Sequence, residues 1–252
     1  MIESSFAPET LVAFLLAMTR TVAFLTMAPP FARTLMPLRV RVGFAVALGF
    51  LLAGSVDPAL ISLDLGSLIL AIGYQAFIGV ALGFVVALFF AAFQAAGSII
   101  DFTSGFSVGA VYDPISGGQN ATVARFYNLT ASVLLFVGGG HLLILSGYMR
   151  SFQAAPLEGP SLDQLGSALV GGLGTFFVAA LEIAFPLAAA MLMTEIGLAL
   201  LARAAPQANV LMLGLTLKAL VLLLLLGISI TILPSAVEQL ADQATRAAFM
   251  GW

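Results

Sequence analysis

Ionisable side chains stand singly inside the apolar stretches of this chain, and they are the residues whose chemistry could matter most. A charged group is costly in a lipid core, so it usually faces a protein interior, a water-filled cavity or a counter-charge. These residues could form a proton or ion path, or they could form buried pairs that fix the register of the helices. Because they occur singly and include both signs of charge, the buried pairs are favoured. The residues are Arg20, Asp101, Asp113, Arg125, His141, Glu182, Glu195, Arg203 and Lys218.

The two glutamates of the fifth apolar stretch could suggest a paired-carboxylate site. Glu182 and Glu195 are thirteen residues apart, which at about 100° per residue places them on different faces of a helix. They are therefore poor candidates for general acid and base work. An ion or solute transporter that uses them together with Asp101 remains an alternative.

Catalytic motifs are incomplete in this sequence. Tyr112-Asp113 would be half of an intramembrane aspartyl protease signature, but no Gly-x-Gly-Asp partner occurs. His141 with Ser104 could suggest an intramembrane serine protease, yet a histidine beside glycines is more often a hydrogen-bonded packing residue. Since the chain also lacks cysteine, a His-Glu-x-x-His site and a P-loop, the sequence predicts no enzyme, metal site or cofactor.

The composition predicts the kind of fold that must position these residues. Of 252 residues, 61% are hydrophobic and 8% are charged, and the mean hydropathy is +1.12, whereas soluble domains carry about a quarter charged residues. The formal net charge is −3 and the nine basic residues are scattered, so no nucleic-acid-binding patch is expected. We predict an all-α integral membrane protein, with one polytopic domain over residues 1–252, in contact with lipid.

Apolar regions of roughly the length of a membrane span, about 20 residues, are separated by proline, glycine, serine and charge. A continuous helix over the third would be about 54 Å long, beyond a hydrocarbon core of about 30 Å, so it must tilt, break or project. Gly138-Gly139-Gly140 predicts a bend or a tight packing site in the fourth, and Pro186 a kink in the fifth. Ser235 and Glu238 have capping-box spacing, which predicts a short separate helix at the C-terminus. The regions are 11–28, 42–56, 65–100, 126–149, 165–201 and 210–233.

Small residues recur every four positions along the third apolar region. Such a stripe lets another helix approach closely, because packing drives helix association in lipid. The partner could be a helix of this chain or of another subunit, and the length of the region favours another subunit. The stripe consists of Gly79, Gly83, Ala87, Ala91 and Ala95.

The stretch from Gly105 to Gly118 has no helical period although it is apolar. Asp113-Pro114 and the glycines after it carry turn chemistry. Irregular backbone at membrane depth is tolerated where protein buries it or where it lines a water-filled cavity. Apolar tips could seal such a cavity, and the alternative is an ordinary connecting loop. The apolar residues are Phe106, Val108, Val111 and Tyr112. Gly105 directly precedes Phe106, and Gly109 directly follows Val108.

The order and spacing of several short elements resemble the FliR family of flagellar type III secretion export-gate proteins. The resemblance spans essentially the whole chain, and virulence-type secretion proteins are the nearest confusable relatives. The elements are Gly97 to Asp101 before Gly105-Phe106, Asp113-Pro114-Ile115-Ser116-Gly117, Phe126-Tyr127-Asn128-Leu129, Gly140-His141-Leu142, and Ala202 to Asn209 before Lys218.

This resemblance implies a structural subunit rather than an enzyme. It implies long, kinked helical hairpins packed with FliP-like and FliQ-like subunits into a helically arranged gate in the bacterial inner membrane at the flagellar basal body. An FlhB-like switch protein is a further implied partner, and unfolded export substrates would pass through the centre. In that family an irregular loop plugs the channel, which implies a plug over Gly105 to Gly118 here.

Overall fold

Seven α-helices make up most of the structure, a computed structural model that describes residues 8–31, 36–54, 64–105, 121–154, 162–207 and 209–249. No strand occurs among these described residues. The predicted all-α fold is therefore confirmed. The helices are α1 Pro8–Met27, α2 Leu38–Ala53, α3 Leu65–Ser104, α4 Thr122–Val137, α5 Gly140–Ala154, α6 Leu162–Ala204 and α7 Val210–Phe249.

Three of the helices are far longer than a bilayer requires. Helices α3 and α7 have 40 residues each and α6 has 43, so each extends about 60 Å at 1.5 Å per residue. The third apolar region is therefore one unbroken helix, and Pro186 lies inside α6 without ending it. Within the described residues, α1, α3, α6 and α7 are long and apolar enough to span a membrane, and α4 with α5 could form a fifth, broken span.

Local chemistry explains where several helices begin and end. Asp64 accepts hydrogen bonds from the backbone N–H groups of Gly66 and Ser67 at the start of α3, as an N-cap residue does. Gly105 follows α3 with a φ of +83°, a conformation that favours glycine after a helix. Gly139 has a φ of +73°, and α4 ends at Val137 while α5 begins at Gly140, so the helix is interrupted at Gly138-Gly139-Gly140 as predicted.

The separate C-terminal helix predicted from Ser235 and Glu238 is wrong. Helix α7 runs without interruption from Val210 to Phe249 and includes Pro234. The Ser235 hydroxyl donates to the carbonyl of Ile232 one turn back and caps nothing. The physical reason is that Val237 and Leu240, just after Ser235, are buried, so tertiary packing of this face favours a continued helix over a local cap.

Backbone contacts divide the chain into two units, of which the first comprises the described residues within Met1–Phe89, Gly139–Gly174 and Ala241–Trp252. Its interior is built on α1. The ring of Phe24 stacks on that of Tyr148 from α5 with centroids 4.3 Å apart, and the Thr21 and Tyr148 hydroxyls are hydrogen bonded at 2.8 Å. Leu16, Ile78 and Leu82 are also fully buried.

The second unit comprises the described residues within Phe90–Gly138 and Thr175–Leu240. Apolar side chains of four different helices are almost completely buried in it: Phe93 and Ile100 of α3, Leu135 of α4, Met191 of α6 and Leu222 of α7. The unit also holds both helix ends that flank residues 106–120.

Candidate functional site

Asp101, near the end of α3, fixes the beginning of α4. Its side chain is buried, and its two oxygens accept the backbone N–H groups of Val123 at 3.1 Å and Ala124 at 3.0 Å. The residue that precedes α4 is Ala121, which offers no side-chain cap. Asp101 therefore does from another helix what an N-cap residue does locally, and its negative charge lies at the positive end of the α4 dipole.

Gly97 lies one turn before Asp101 and allows this contact. A Cβ atom on Gly97 would lie 2.4 Å from the Ala124 Cα atom and 2.7 Å from the Ala124 nitrogen. Backbone atoms cannot move aside as a flexible side chain can, so α4 approaches α3 this closely because residue 97 has no side chain. Gly97 and Asp101 together form what we call the α3–α4 clamp.

The clamp holds the two helix ends from which residues 106–120 depart. Gly105 is the last described residue on the α3 side, and its N–H donates to the carbonyl of Phe102. The other predicted plug residues lie outside the described residues, and their role stays a prediction. They are Phe106, Val108, Gly109, Val111, Tyr112, Asp113 and Pro114.

The small-residue stripe of α3 begins against α1 of the same chain. A Cβ atom on Gly79 would lie 2.4 Å from the Arg20 carbonyl oxygen, and one on Gly83 would lie 2.9 Å from the Phe24 carbonyl oxygen. The first half of the stripe is thus in contact within the chain, although the sequence favoured another subunit. Ala87, Ala91 and Ala95 are half-buried, and a partner for them stays a prediction.

Arg20 is the most deeply buried charged residue of the first unit. Its Nε donates to Gln75 Oε1 at 2.6 Å, its Nη1 donates to the Ser151 carbonyl at 3.3 Å, and its guanidinium lies 4.3 Å from the centre of the Phe152 ring. One cation thereby joins α1, α3 and α5. The sequence left a protein interior, a water-filled cavity or a counter-charge open for Arg20, and it did not predict these neutral partners.

The remaining ionisable residues differ in their surroundings. Lys218 Nζ lies 3.3 Å from Glu195 Oε1 and joins α7 to α6, but the Glu195 side chain is 59% exposed, so the burial of this pair stays a prediction. His141 is half-buried. Arg125, Glu182 and Arg203 are exposed on the isolated chain, so their burial stays a prediction about an assembly.

Two further arrangements considered from the sequence concern metal binding and a serine nucleophile. Among the described residues, no group of three histidine, aspartate or glutamate side chains could hold a metal ion. The Ser104 hydroxyl, considered above as a nucleophile, donates to the Asp101 carbonyl.

A fold of long apolar helices with buried polar contacts defines a multi-pass α-helical membrane protein. Residues 11–244 match the family model described as "Bacterial export proteins, family 1", and the chain belongs to this family. The family provides a structural component of an export apparatus that works with other subunits of that apparatus.

Three similar proteins illustrate the breadth of the family. The chain is 30% identical to the "Flagellar biosynthetic protein FliR" of Bacillus subtilis over 88% of this chain and 87% of that protein. It is 31% identical to the Escherichia coli protein of the same name over 77% and 75%. It is also 31% identical to the "Surface presentation of antigens protein SpaR" of Shigella flexneri over 76% and 73%.

These matches confirm the family and the type III export-gate function predicted from the short sequence elements. A location in the inner membrane at the basal body, with several crossings, is confirmed as well. Matches to flagellar proteins and to virulence-type secretion relatives both occur, as expected from the resemblance, and the flagellar matches support the flagellar interpretation.

Proposed function

We propose that this chain closes the channel of a flagellar type III export gate with the segment Gly105 to Gly118, and that export substrates or gate opening displace this segment. It catalyses no reaction, and the energy for export comes from other components. The gate subunits that it joins are FliP-like and FliQ-like, with an FlhB-like switch protein nearby.

The α3–α4 clamp is the observation that carries the proposal. A segment that must leave a channel and return to it needs ends that do not move with it. Asp101 holds the first turn of α4 against the last turn of α3 through two hydrogen bonds, and Gly97 brings the backbones into contact. The cost of closing a loop grows only slowly with its length, so a clamped base can support a loop of fifteen residues between Gly105 and Ala121.

The residue types of the segment suit a seal. Phe106, Val108, Val111 and Tyr112 are apolar, and apolar constrictions close pores by excluding water. Asp113-Pro114 has turn chemistry and would aim these side chains rather than seal by its charge. Sealing therefore depends on the apolar residues, and Asp113 contributes by shaping the turn that directs them.

The lengths of α3, α6 and α7 support a multi-subunit gate. Each is about twice as long as a hydrocarbon core of about 30 Å is thick. Many large apolar side chains remain exposed along α6 and α7, such as Phe185 at 71% and Leu223 at 67%. Apolar surface beyond the bilayer has to be covered by protein, and FliP-like and FliQ-like helices would cover it.

The proposal is tested by replacing Val108, Val111 and Tyr112 together with serine, which keeps the length of the segment. The assembled gate should be purified in normal amount, and cells that carry it should become permeable to small solutes. Permeability is measured by uptake of a membrane-impermeant dye or by conductance in planar bilayers.

Ser107→Ala and Ser116→Ala provide matched controls, since they change the same segment without removing apolar side chains. Both should leave the membrane tight. A gate that carries the triple serine variant, assembles normally and stays as tight as these controls would refute the plug. Reconstituted wild-type chain that alone drives coupled solute flux would instead favour the transporter alternative.

A further inference from the structure

Glu182 presents a carboxylate on an apolar, exposed face of α6. The residue is exposed, and so are Val178 at 56% and Phe185 at 71%, which lie one turn before and after it. Glu182 lies 20 residues from the first residue of α6 and 22 from the last, so about 30 Å of helix extends on either side. Its charge is therefore at the middle of a helix that is far longer than a bilayer is thick.

The other glutamate of α6 provides the comparison. Glu195 lies 3.3 Å from Lys218 of α7, so the chain supplies a cation for it. Glu182 makes no hydrogen bond or ion pair with any residue that the structure describes. Lys218 is already engaged, and Arg203 lies in the last turn of α6, about 30 Å along the axis from Glu182. The described part of the chain thus neutralises one glutamate and leaves the other.

Neither lipid nor water suits this face. In lipid, an unpaired carboxylate would be strongly unfavourable, and its short side chain cannot reach the interface from mid-helix. In water, the carboxylate would be solvated, but Val178, Phe185 and Leu192 would remain uncovered, each more than half exposed on the isolated chain. A protein surface that is apolar and carries a cation satisfies both requirements, because it covers the side chains and neutralises the charge.

We propose that the face of α6 formed by Val178, Glu182, Phe185 and Leu192 docks a membrane helix of a neighbouring gate subunit, and that a lysine or arginine of that helix pairs with Glu182. This inference rests on the proposed function to the extent that it needs a multi-subunit gate, but it does not depend on the plug. The contact reproduces between subunits what Glu195 and Lys218 do within the chain.

Substitution of Glu182 shows whether this face of α6 contacts a protein partner or lipid, because the two cases predict opposite changes in the yield of assembled gate. Glu182→Leu removes an unfavourable charge if the face meets lipid, and the yield of assembled gate should then stay the same or rise. At a docking contact the same change leaves the partner's cation buried and unpaired, which is strongly destabilising. We expect Glu182→Leu to lower the yield of gate purified through this chain about tenfold or more, with Glu182→Lys lower still. An unchanged yield with Glu182→Leu would overturn the proposal.

Cross-linking identifies the cation and excludes misfolding as the cause. A photoreactive phenylalanine analogue at Phe185 should form a product with one gate subunit, at a helix that carries a lysine or arginine. The same analogue at Phe176, which is half-buried and about 180° around the helix from Phe185, is the control and should not give that product. Replacing the cation found with glutamate should restore at least half of the lost yield to Glu182→Lys, because the charges are exchanged.

The cross-linking and charge-exchange results decide the docking proposal separately from the plug. A product at Phe185 with a second copy of this chain, with lipid alone, or with a helix that lacks a basic residue would overturn the docking proposal, as would failure of the charge exchange. None of these results bears on the plug, because the triple serine variant is judged by permeability of a gate that has already assembled.

Discussion

Arg20 Nε donates a hydrogen bond of 2.6 Å to Gln75 Oε1, so that a cation in the interior of α1 is held by a neutral side chain of α3. The guanidinium also lies over the Phe152 ring of α5. A guanidinium stays charged in proteins, and here it donates to the polar but uncharged Gln75 side chain and Ser151 carbonyl. The arrangement fixes the register of three helices, since a shift of one turn would leave the charge without these partners.

Gln75→Leu should destabilise the first unit by removing one acceptor from this buried cation. A hydrogen bond to a charged group contributes about 1.5–3 kcal/mol, and we expect a loss of that size, measured as a lower thermal unfolding temperature in detergent. Thr19→Ala is the control, because the Thr19 hydroxyl donates to Leu15 within its own helix. Equal unfolding temperatures for the two variants would mean that Arg20 finds another acceptor.

Gly79→Ala should disturb the contact between α1 and α3 inside this chain. The added methyl group would meet the Arg20 carbonyl oxygen at 2.4 Å, and overpacking of this kind costs about 1–3 kcal/mol. Gly73→Ala, on the same helix, adds a methyl group where nothing lies within 4 Å. The amount of each chain that remains monodisperse in detergent is the measurement. Normal behaviour of Gly79→Ala would show that α1 and α3 can separate without loss of the fold.

Gly83→Leu distinguishes contacts inside the chain from contacts with other subunits. The Cβ atom at Gly83 would already lie 2.8 Å from the Met27 Cβ atom, so the larger side chain should reduce the folded chain before any partner binds. Size-exclusion chromatography of the chain expressed alone tests this. If the chain alone is normal but co-purification with partners is lost, the stripe packs against another subunit as the sequence suggested.

Asp101→Asn should weaken the α3–α4 clamp. One oxygen is replaced by an amide group that cannot accept a backbone N–H, and loss of an N-cap interaction costs about 0.5–2 kcal/mol. We expect a lower unfolding temperature of the assembled gate and, from the proposed plug, increased permeability. Ala121→Asp in the same chain should restore the cap of α4 locally. Stability that returns while permeability stays raised would assign the base of the plug to Asp101 itself.

Lys218→Met should destabilise the second unit more than the double variant Lys218→Met with Glu195→Gln. The single change leaves Glu195 without its cation, whereas the double change removes both charges. Polar contacts between membrane helices contribute about 0.6–1.7 kcal/mol, so the difference in thermal unfolding should be small but measurable. Identical unfolding of the two variants would mean that water already solvates Glu195, which is half exposed.

Much of the fold could be predicted from the sequence because the apolar regions are long and their interruptions have a physical meaning. The three glycines at Gly138 to Gly140 indicated the interruption between α4 and α5, where Gly139 adopts a φ of +73°. The same reasoning failed at Ser235. Its capping-box spacing is a local signal for a helix start, and packing of the buried Val237 and Leu240 outweighs it in a helix that continues.

The site was less accessible to sequence reasoning because its contacts are distant along the chain. Asp101 was recognised as an ionisable residue in an apolar region, but Val123 and Ala124, whose N–H groups it accepts, are 22 and 23 residues away. Gly97 lies outside the predicted stripe, and its close contact with Ala124 was not foreseen. A missing cap at Ala121 was the one signal that could have led from α4 back to Asp101, since a helix start without its own acceptor requires one from elsewhere.

The length of α3, α6 and α7 also bears on how a cell controls the number of these chains. A copy that has not met its partners would hold roughly half of each helix outside the hydrocarbon core, with apolar side chains uncovered. Such a copy is expected to be recognised by membrane proteases and degraded. Turnover of orphan chains would then keep their number matched to that of the assembling gates.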